Sequence, residues 1–355
     1  MKQIVILGGG FTGLEVAITA RKLSNHEITL IDHSPVMTFH GHLHEIVSER
    51  ITPEEIEIDL NDSLNKRKIN FLQAEFQGIK KGYVQTDKKK IPYDVLIIAM
   101  GSKTCFSIKG MKNCDELKTS KQARMLHEHL MNLDKARIAI VGAGLTGTEL
   151  VFEIDYLGKK YDKNFIIHLI EASSGPMPHF PQKAVDIVKN NLEEKDIVQH
   201  YNNKILKCNP KELIFDNGTK LDYDLLIWTA GIEPVANAKA YGLKTTHGFI
   251  KVNEQLRTSE NNIFAIGDIA WIGKESHELW NAMTAIKEGK TAGINAVNYL
   301  ENKPLINYEL DKEHLFLVSL GNRTGLYIKD QKVKAGKIPL LMKSNLRKKY
   351  LKERR

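Results

Sequence analysis

Two stretches of the sequence decide the fold: residues 4–13 read IVILGGGFTG, and residues 138–147 read IAIVGAGLTG. Each begins with four apolar residues, as buried parallel strands do, and runs into a Gly-x-Gly-x-x-Gly turn. A helical pattern follows each turn, through Leu23 in the first case and to about Leu157 in the second. Strand, glycine turn and helix in this order are the context in which such glycines bind dinucleotides. The sequence therefore predicts two dinucleotide sites in one chain.

A second pair of matching stretches shows that a whole unit is repeated. Residues 93–101 read YDVLIIAMG and residues 223–231 read YDLLIWTAG, again roughly 130 residues apart. Polar, turn-rich sequence of the kind that joins hairpin strands precedes both stretches. One unit of roughly 130 residues therefore occurs twice, and the duplication predicts an α/β fold with two Rossmann-like domains.

The three glycines of each turn have separate physical roles. The first allows a tight bend, the second lets the backbone approach a pyrophosphate, and the third lets the helix pack closely on the strand. Amide groups and the helix dipole make the helix N-terminus positive, which suits that anion. The candidate nucleotide-binding residues of the two turns are Gly8, Gly10, Phe11, Thr12, Gly13, Gly142, Gly144, Leu145, Thr146 and Gly147.

An acidic residue follows the second strand of each unit. Asp32 follows Ile28–Ile31, and Glu171 follows Ile166–Ile170. A carboxylate in this place binds the hydroxyls of an adenosine ribose. The competing interpretation, glycine-rich turns in an unrelated α/β fold, does not explain why both copies have this acid and a matching closing strand. Two nucleotide sites suggest an electron transferase that uses a flavin and a nicotinamide.

A third signal shows how the two units are arranged. Residues 262–268 read NIFAIGD, a short strand that ends in Gly267-Asp268. Because this strand follows the second unit, we expect the first domain to resume after the second domain is inserted. The predicted boundaries are residues 1–118 and 247–320 for the first domain, 119–246 for the inserted domain, and 321–355 for a basic amphipathic C-terminal segment.

At these residues the chain resembles the two-dinucleotide-binding-domain flavoproteins, and among them the type II NADH dehydrogenases. Residues 142–150 read GAGLTGTEL, similar to the family's GGGxTGVEL, and residues 228–234 read WTAGIEP, similar to its WTAGxxP. Glu171-Ala172 with the prolines and phenylalanine that follow resembles its EAxxxxLPxFP. The resemblance covers roughly residues 1–330.

The resemblance implies which cofactor binds where. The first turn would hold FAD and the second NADH, with the NADH domain inserted in the FAD domain. Asp268 would bind the ribityl and phosphate region of the flavin. The remaining cofactor-binding positions that the resemblance implies are Gly101, Gly231, Gly267 and Ala282. Glu171 favours NADH over NADPH, because its carboxylate repels a 2′-phosphate and no Arg lies between Ala172 and Pro178.

The helix near the expected acceptor site departs from the family. The family's AQxxxQG corresponds to residues 282–289, which read AMTAIKEG, so Met283 and Lys287 replace both glutamines. The helix start at Ala282 would still stabilise negative charge on the reduced flavin. The candidate catalytic residues are Lys287 and Glu149. Glu149 either relays protons to a reduced quinone or interacts favourably with its helix N-terminus, and the sequence does not decide between the two.

Cysteines and histidines bear on two alternatives. A disulfide reductase needs a cysteine pair near residues 39–45, where none occurs, and a sulfide:quinone reductase needs two cysteines beside the flavin. Cys105, Cys114 and Cys208 match neither pattern, although the sulfide:quinone alternative stays open. His40, His42 and His44 would suit a metal only on a strand, and we expect them instead to line the flavin or the acceptor channel. A third alternative is a flavoprotein sensor that binds NADH without fast turnover.

Charge is concentrated at the C-terminus. The formal net charge is +8, and residues 331–355 contain ten basic residues against Glu353 alone. Apolar residues lie between the cations, and Met342, Leu346 and Tyr350 would share a face if Pro339 starts a helix. This pattern favours an anionic membrane surface over a nucleic acid or a solvated end.

The sequence therefore predicts an FAD-dependent enzyme that passes electrons from NADH to a quinone, without a metal. No apolar run reaches the roughly 18 residues of a membrane span, and the N-terminus does not resemble a signal peptide. We expect a cytoplasmic protein held peripherally on the inner face of the cell membrane. No nucleic-acid partner is expected, and a homodimer is left open.

Overall fold

The computed structural model describes residues 1–106, 108, 110–111, 114–235, 238–273, 282–309 and 315–355. Its first third contains the strands β1 (Gln3–Leu7), β2 (Glu27–Asp32), β3 (Val36–Thr38), β4 (Glu57–Asp59), β5 (Asn70–Gln73), β6 (Phe76–Lys80), β7 (Tyr83–Thr86), β8 (Lys90–Pro92), β9 (Val95–Ile98) and β10 (Ser102–Thr104). The helices of this part are α1 (Phe11–Leu23), α2 (Leu43–Val47) and α3 (Leu60–Asn65).

The middle of the chain repeats the alternation of strands and helices. Its strands are β11 (Asp115–Glu116), β12 (Lys135–Val141), β13 (Asn164–Ile170), β14 (Val198–His200), β15 (Ile205–Asn209), β16 (Glu212–Phe215), β17 (Lys220–Asp222), β18 (Leu225–Trp228) and β19 (Ile232–Pro234). Its helices are α4 (Ser120–Met131), α5 (Leu145–Lys160) and α6 (Gln182–Glu193).

The last part of the described chain contains short strands and two long helices. The strands are β20 (Thr245–Thr246), β21 (Phe249–Val252), β22 (Ile263–Ala265), β23 (Ala270–Ile272), β24 (Leu315–Leu320), β25 (Thr324–Lys329) and β26 (Lys332–Gly336). The helices are α7 (Ala282–Leu300) and α8 (Lys337–Arg354).

Two parallel five-stranded sheets organise the molecule. The first has the order β22-β9-β1-β2-β5 and the second the order β11-β18-β12-β13-β14. In both, the strand before a glycine turn lies at the centre, where its apolar residues are covered on both faces. Ile4, Val5 and Ile6 of β1 accordingly have no exposed surface. The predicted α/β class with two dinucleotide-binding units is confirmed, and α1 ends at Leu23 as predicted.

The repeat extends to the hairpins and to single hydrogen bonds. A three-stranded antiparallel sheet precedes each closing strand, β6-β7-β8 in one unit and β15-β16-β17 in the other. The Asp94 carboxylate accepts a hydrogen bond from the Gln3 amide at 2.7 Å, and the Asp224 carboxylate accepts one from the Arg137 amide at 2.8 Å. Both contacts fix the start of the central strand against the closing strand.

Strand β22 returns the chain to the first sheet. It pairs in parallel with β9, although the whole second sheet lies between them in sequence. Strands β10 and β19, which follow the two closing strands, pair antiparallel and join the two units. This topology brings the Gly267-Asp268 strand end to the same sheet edge as the first glycine turn. The domain boundaries themselves stay a prediction.

The C-terminal segment is folded onto the body. Strands β24, β25 and β26 form an antiparallel sheet, and α8 packs on it, with a Cβ on Gly325 placed only 3.0 Å from Leu340. Met342, Leu346 and Tyr350 lie on one helix, as predicted, although it begins at Lys337 rather than at Pro339. Leu346 is exposed, whereas Tyr350 is buried. Its ring packs against the body, because the helix presents a second, inward apolar stripe. None of the helices within the described residues has the length and apolar character needed to cross a bilayer.

Candidate active site

The first glycine turn lies between β1 and α1, and its geometry explains each glycine. Gly8 has a φ of +101°, and a Cβ there would lie 2.3 Å from the carbonyl oxygen of Ala99. A Cβ on Gly13 would lie 1.8 Å from the Gly8 carbonyl oxygen, so α1 packs directly on the turn. A Cβ on Gly10 would meet nothing within 4 Å, so this position faces open space. The turn therefore leaves a clear approach to the N-terminus of α1.

Helix α1 begins without a side-chain cap, because its N-cap residue is Gly10. The first amides of a helix have no partner within the helix. Phe11 and Thr12 lie in this first turn, where those amides and the helix dipole favour an anion. The geometry fits the pyrophosphate of a dinucleotide.

Asp32 ends β2 and contacts the glycine turn itself. Its Oδ2 accepts a hydrogen bond from the Gly9 amide at 2.5 Å, and its Oδ1 accepts one from the Ser34 amide at 2.8 Å. A carboxylate oxygen accepts two hydrogen bonds, so Oδ2 keeps a lone pair for a ribose hydroxyl. Asp32 therefore also stabilises the turn, which the sequence pattern did not indicate.

Asp268 lies just beyond β22, at the edge of the first sheet. Its Oδ2 accepts a hydrogen bond from the Ser102 hydroxyl at 2.9 Å, and its side chain stays partly exposed. The preceding Gly267 has a φ of +70° and donates its amide to Oε2 of Glu288 at 2.5 Å. A Cβ on Gly267 would lie 3.0 Å from the Thr12 hydroxyl oxygen. The Gly-Asp strand end and the first turn therefore form one continuous site.

Glu288 is a buried acid that sequence reasoning missed. Burial raises the pKa of its carboxyl to about 7, and the charge of Asp268 adds to the rise, while the Gly267 amide opposes it. A signal was present in the sequence: Glu288 stands four residues before Ala292 and eight before Ala296, on the buried stripe of α7. An acid on such a stripe needs a partner, and here the partner is a backbone amide.

The second glycine turn repeats the geometry of the first. Gly142 has a φ of +97°, and a Cβ there would lie 2.8 Å from the amide nitrogen of Ala230. A Cβ on Gly147 would lie 1.8 Å from the Gly142 carbonyl oxygen, whereas a Cβ on Gly144 would meet nothing within 4 Å. The open middle glycine again leaves room for a pyrophosphate.

Glu171 holds the second turn as Asp32 holds the first. Its Oε2 accepts a hydrogen bond from the Ala143 amide at 2.9 Å, and its Oε1 accepts two from Ser173, from the amide at 2.9 Å and from the hydroxyl at 2.8 Å. Leu145 and Thr146 form the first turn of α5, which has no side-chain cap. The second site therefore fits a dinucleotide by the same criteria.

Left-handed glycines follow the closing strands of both sheets. Gly101 follows β9 with a φ of +69°, and a Cβ there would meet nothing within 4 Å. Gly231 follows β18 with a φ of +70°, and a Cβ there would lie 3.4 Å from Cβ of Cys105. The structure thus places both predicted glycines at the carboxyl edges of the sheets, where ligands of open α/β sheets bind.

Glu149 lies in a buried polar cluster between α5, β24 and α8. Its Oε1 accepts a hydrogen bond from the Ser319 amide at 2.8 Å and is paired with the ammonium of Lys343. Its Oε2 lies 3.5 Å from Nδ1 of His44, whose Nε2 lies 2.9 Å from the Ser319 hydroxyl. All four side chains are buried. We call Glu149, Lys343, His44 and Ser319 the Glu149 cluster.

Burial sets the protonation of the Glu149 cluster. Burial raises the pKa of the Glu149 carboxyl, and the neighbouring charge of Lys343 opposes the rise. Burial, followed by the charge of Lys343, lowers the pKa of His44 well below its usual range. A neutral imidazole has one donor and one acceptor nitrogen, so with the proton on Nδ1 His44 directs its donor to the Glu149 carboxylate and its acceptor to the Ser319 hydroxyl. The cluster therefore places a carboxyl, an imidazole and a hydroxyl next to one another in a buried site.

A second buried ion pair fixes α2 on α5. Nε and Nη2 of Arg50 bind the two carboxylate oxygens of Glu153 at 2.8 Å and 2.5 Å, and the Ser48 hydroxyl donates to the same carboxylate. Glu45 lies 3.6 Å from Arg50, and its Oε1 lies 2.9 Å from Nδ1 of His42. Burial opposes the ionisation of Glu45, yet the hydrogen bond with His42 and the charge of Arg50 contribute to lowering its pKa overall. These contacts position the segment that presents His44.

The three histidines do not converge on a metal. His40–His42 form a 3-10 turn that leads into α2, whereas alternate ligands would need a strand. His42 and His44 are buried, and the exposed His40 lies with its ring 6.2 Å from that of Phe11. Within the described residues, no group of three or more metal-ligating side chains occurs.

Lys287 and Glu149, the two predicted catalytic residues, lie in different surroundings. The ammonium of Lys287 lies 5.8 Å from the ring centre of Tyr308. Helix α7 begins at Ala282, whose side chain lies outside the described residues. Glu149 lies instead in its buried cluster, paired with the ammonium of Lys343.

Two of the three cysteines lie in environments that disfavour thiol chemistry. All three are free, and burial raises the pKa of the thiols of Cys114 and Cys208 to about 11. The thiolate is the nucleophilic form, so such thiols are unreactive at neutral pH. Cys105 donates its amide to the Gly231 carbonyl at 3.3 Å. This arrangement weakens the sulfide-oxidising alternative.

Helix α8 covers the first turn of α1. The Tyr350 ring lies 5.2 Å from that of Phe11 and 5.4 Å from that of Phe39, and Arg354 pairs with Glu15 at 2.6 Å. Arg354 was predicted to be part of a membrane-facing surface charge, but its guanidinium is paired with a buried carboxylate. The spacing along α8 was the missed signal, because Lys343, Arg347, Tyr350 and Arg354 recur every three or four residues on one helical face.

The comparisons with known proteins agree with this geometry. The family described as "Pyridine nucleotide-disulphide oxidoreductase" matches residues 2–289. The type II NADH:quinone oxidoreductase of Haemophilus influenzae is 29% identical, over 92% of this chain and 86% of that protein. The type II NADH:quinone oxidoreductase of Staphylococcus saprophyticus is 28% identical, over 87% of this chain and 85% of that protein.

Solved structures share the fold at lower sequence identity. The sulfide:quinone oxidoreductase of Aquifex aeolicus superposes with a TM-score of 0.86 at 21% identity, over 99% of this chain and 91% of that one. The NDH2 of Plasmodium falciparum, solved in complex with NADH, superposes with a TM-score of 0.84 at 20% identity, over 97% of this chain and 94% of that one. These likenesses concern the fold alone.

Proposed function

The chain belongs to the pyridine nucleotide-disulphide oxidoreductase family, and from this premise we propose that it oxidises NADH and reduces a quinone at a membrane surface. It binds FAD and NADH, and FAD supplies the two-electron chemistry that links the donor to the acceptor. The observation that supports the proposal most is the pair of equivalent glycine turns, each open at its middle glycine. The names of the relatives at 28–29% identity suggest the quinone.

FAD would be held at the first turn by hydrogen-bond donors on one part of the cofactor and by carboxylate acceptors on another. The amides at the start of α1 bind the pyrophosphate, and Asp32 binds the adenosine ribose through the free lone pair of Oδ2. Asp268, aligned by the Ser102 hydroxyl and by the Gly267 turn, binds the ribityl and phosphate region. The three contacts come from three separate elements, so the cofactor is oriented along the sheet edge.

NADH would be held at the second turn, with Glu171 on its ribose. Hydrogen bonds from Ala143 and Ser173 already fix the Glu171 carboxylate. Binding of NADH therefore costs no further side-chain entropy at this residue. A 2′-phosphate in the same place would face this negative charge. We therefore assign NADH, rather than NADPH, as the donor.

The Glu149 cluster would supply the proton that the reaction needs. Oxidation of NADH by a quinone gives NAD⁺ and a quinol and consumes one proton beyond the hydride. Glu149 holds this proton at its carboxylate, His44 connects it to Ser319, and Lys343 stabilises negative charge nearby. Lys287 takes no part in this relay and stays a candidate contact for the acceptor.

Attachment to a membrane would use the outward face of α8. Ile338, Leu341 and Leu346 are exposed there to 71%, 63% and 43%, and Lys348 and Lys352 are exposed beside them. Exposed apolar residues flanked by cations are typical of helices that lie in the interface of an anionic bilayer. We propose peripheral attachment at the cytoplasmic face, which brings the enzyme to lipophilic quinones.

Steady-state assays test this function directly. The FAD-loaded protein should oxidise NADH only when a quinone analogue is present, with one quinol formed per NADH consumed. NADPH should serve poorly, and sulfide should not replace NADH as the donor. Quinone reduction by sulfide without NADH would contradict the assignment and favour the sulfide:quinone reductase alternative.

A further inference from the structure

A cationic cleft lies beside α8, outside the two nucleotide sites. Its volume is about 420 Å³, and it opens between α8 and the turn at residues 53–57. The side chains that line it are those of Glu55, Arg347, Lys348, Leu351, Lys352 and Arg355. Four cations and one carboxylate therefore surround a space of the size that small ligands occupy.

Arg347 is the buried member of this group. Its residue is only 3% exposed, and its Nε and Nη1 have no hydrogen-bond partner. Its Nη2 reaches Oε1 of Glu55 only at 3.5 Å. A buried guanidinium with unsatisfied donors is costly in free energy, so native structures normally provide an acceptor. An anion with several oxygens that enters through the cleft would supply such acceptors.

The rim of the cleft has an excess of positive charge. Lys348 and Lys352 are exposed, and Glu55, the one carboxylate of the lining, has a side chain that is 46% exposed. Arg355 is held in place by hydrogen bonds from its guanidinium to the carbonyl oxygens of Glu54 and Glu57. With the buried Arg347, the lining of the cleft therefore has three net positive charges.

We propose that this cleft is a binding site for a phosphate group, with Arg347 as its buried anchor and Lys348, Lys352 and Arg355 as its rim. The planar guanidinium matches the spacing of two phosphate oxygens, and the excess of cations in the cleft favours an anion that carries more than one negative charge. Glu55 opposes the anion, but three further cations outweigh it. The basic C-terminal segment would thus contain one defined anion site in addition to its dispersed surface charge.

The position of the cleft indicates where the phosphate comes from. Leu341, Lys348 and Lys352 lie on one stripe of α8, since seven and eleven residues are nearly whole numbers of helical turns. The exposed Leu341 would face acyl chains while the two lysines reach the headgroup. For this source, a phospholipid, the proposal rests on the membrane attachment proposed above. The site itself would also accept a free phosphate.

Two double variants with equal loss of charge test the site in the FAD-loaded protein. Lys348→Gln/Lys352→Gln removes two rim cations, and Lys332→Gln/Lys334→Gln removes two exposed cations of β26 outside the cleft. Binding is measured by co-sedimentation with vesicles of phosphatidylcholine, with and without phosphatidylglycerol, and by calorimetric titration with inorganic phosphate. We expect the cleft variant to bind anionic vesicles about tenfold or more weakly, and the β26 variant to change by less than about threefold.

Each outcome has one meaning. A cleft-specific loss of inorganic phosphate binding supports the site, and a parallel loss on anionic vesicles identifies a phospholipid as the source of the phosphate. A loss on vesicles without any loss of phosphate binding overturns the site in favour of general attraction between α8 and the membrane. If the two variants lose binding equally, or if neither loses binding, the proposed site is wrong and the vesicles are held by diffuse electrostatic attraction. NADH turnover with a short-tailed quinone is measured in parallel. If the unmodified protein shows no such turnover, the proposed function is wrong, whereas the proposed phosphate site is not affected.

Discussion

Two carboxylates, those of Asp268 and Glu171, allow a test of which glycine turn binds which nucleotide. Asp268→Ala should yield protein that loses FAD on purification, because the ribityl and phosphate region loses its contact. Glu171→Ala should keep FAD but raise KM for NADH about tenfold or more, since a hydrogen bond to a charged group contributes about 1.5–3 kcal/mol. Discrimination against NADPH should also decrease. FAD content from absorbance and KM for both nucleotides measure these effects.

Glu171→Gln is the matched control, because the amide keeps an acceptor for the Ala143 amide but removes the charge. It should relax the discrimination against NADPH with a smaller effect on NADH. Loss of FAD from either Glu171 variant, with retention in Asp268→Ala, would show that the two turns have been assigned the wrong way round.

The cysteines provide a second test at the scale of residues. Replacing Cys105, Cys114 and Cys208 together by Ser should leave NADH:quinone turnover within a few-fold of the unmodified rate, because no proposed step uses a thiol. Two of these thiols have pKa values near 11 and are not ionised at neutral pH. If turnover falls a thousandfold while FAD is retained, the thiols take part in the chemistry.

Residue identity could be predicted where backbone conformation dictates it. The glycine turns, Asp32 and Glu171 were found from sequence because only a few residue types satisfy those positions. The Glu149 cluster could not be found from the sequence, because its members lie on α2, α5, β24 and α8, far apart along the chain. Lys287 stays a predicted contact for the acceptor, and its ammonium lies 5.8 Å from the ring centre of Tyr308.

At the scale of one element, α7 makes stability depend on pH through Glu288. The unfolded carboxyl has a pKa near 4.5 and the buried one a pKa of about 7. Between these values the folded state keeps a proton that the unfolded state has released, so stability falls as pH rises from about 4.5 to 7. The full effect is about 3 kcal/mol, since one pKa unit corresponds to about 1.4 kcal/mol.

Glu288→Gln should remove this dependence. Denaturant unfolding of the two proteins at pH 5 and pH 8 measures it: the unmodified protein should lose more stability on going to pH 8 than the variant does. The exposed Glu301, at the end of the same helix, provides a control in Glu301→Gln. A pH dependence that is the same in all three proteins would show that the Glu288 carboxyl is not protonated in the fold.

Helix α8 should be needed for the body to be stable. It provides the cations for two buried carboxylates, Lys343 for Glu149 and Arg354 for Glu15. Breaking one buried pair costs about 3–5 kcal/mol. Deleting residues 337–355 should therefore lower the denaturation midpoint and weaken FAD retention, as urea titration and absorbance would show.

A variant of the outward face separates attachment from stability. Ile338→Ser with Leu341→Ser changes only exposed residues, so it should weaken vesicle binding while the midpoint stays near that of the unmodified protein. A truncated protein with unchanged midpoint and full FAD content would contradict the docking of α8 on the body.

At the scale of the whole molecule, duplication made the fold predictable. Two copies of strand, glycine turn and helix predict two parallel sheets, and the strand before Asp268 predicts the return to the first sheet. The docking of α8 was not predictable in the same way, because its cations are equally suited to solvent, lipid and buried acids. Only the tertiary contacts show that one face of α8 packs on the body of the protein and that the opposite face is exposed.

The central claim is that electrons pass from NADH through the flavin to a quinone in one catalytic cycle. Anaerobic rapid mixing tests this claim most directly. The FAD-loaded protein is mixed with one equivalent of NADH, and flavin absorbance is followed before and after addition of a quinone analogue. We predict rapid bleaching by NADH and rapid, complete recovery with quinone, each at least as fast as steady-state turnover. A flavin that NADH bleaches but quinone does not reoxidise on that time scale would contradict the account and favour a redox sensor.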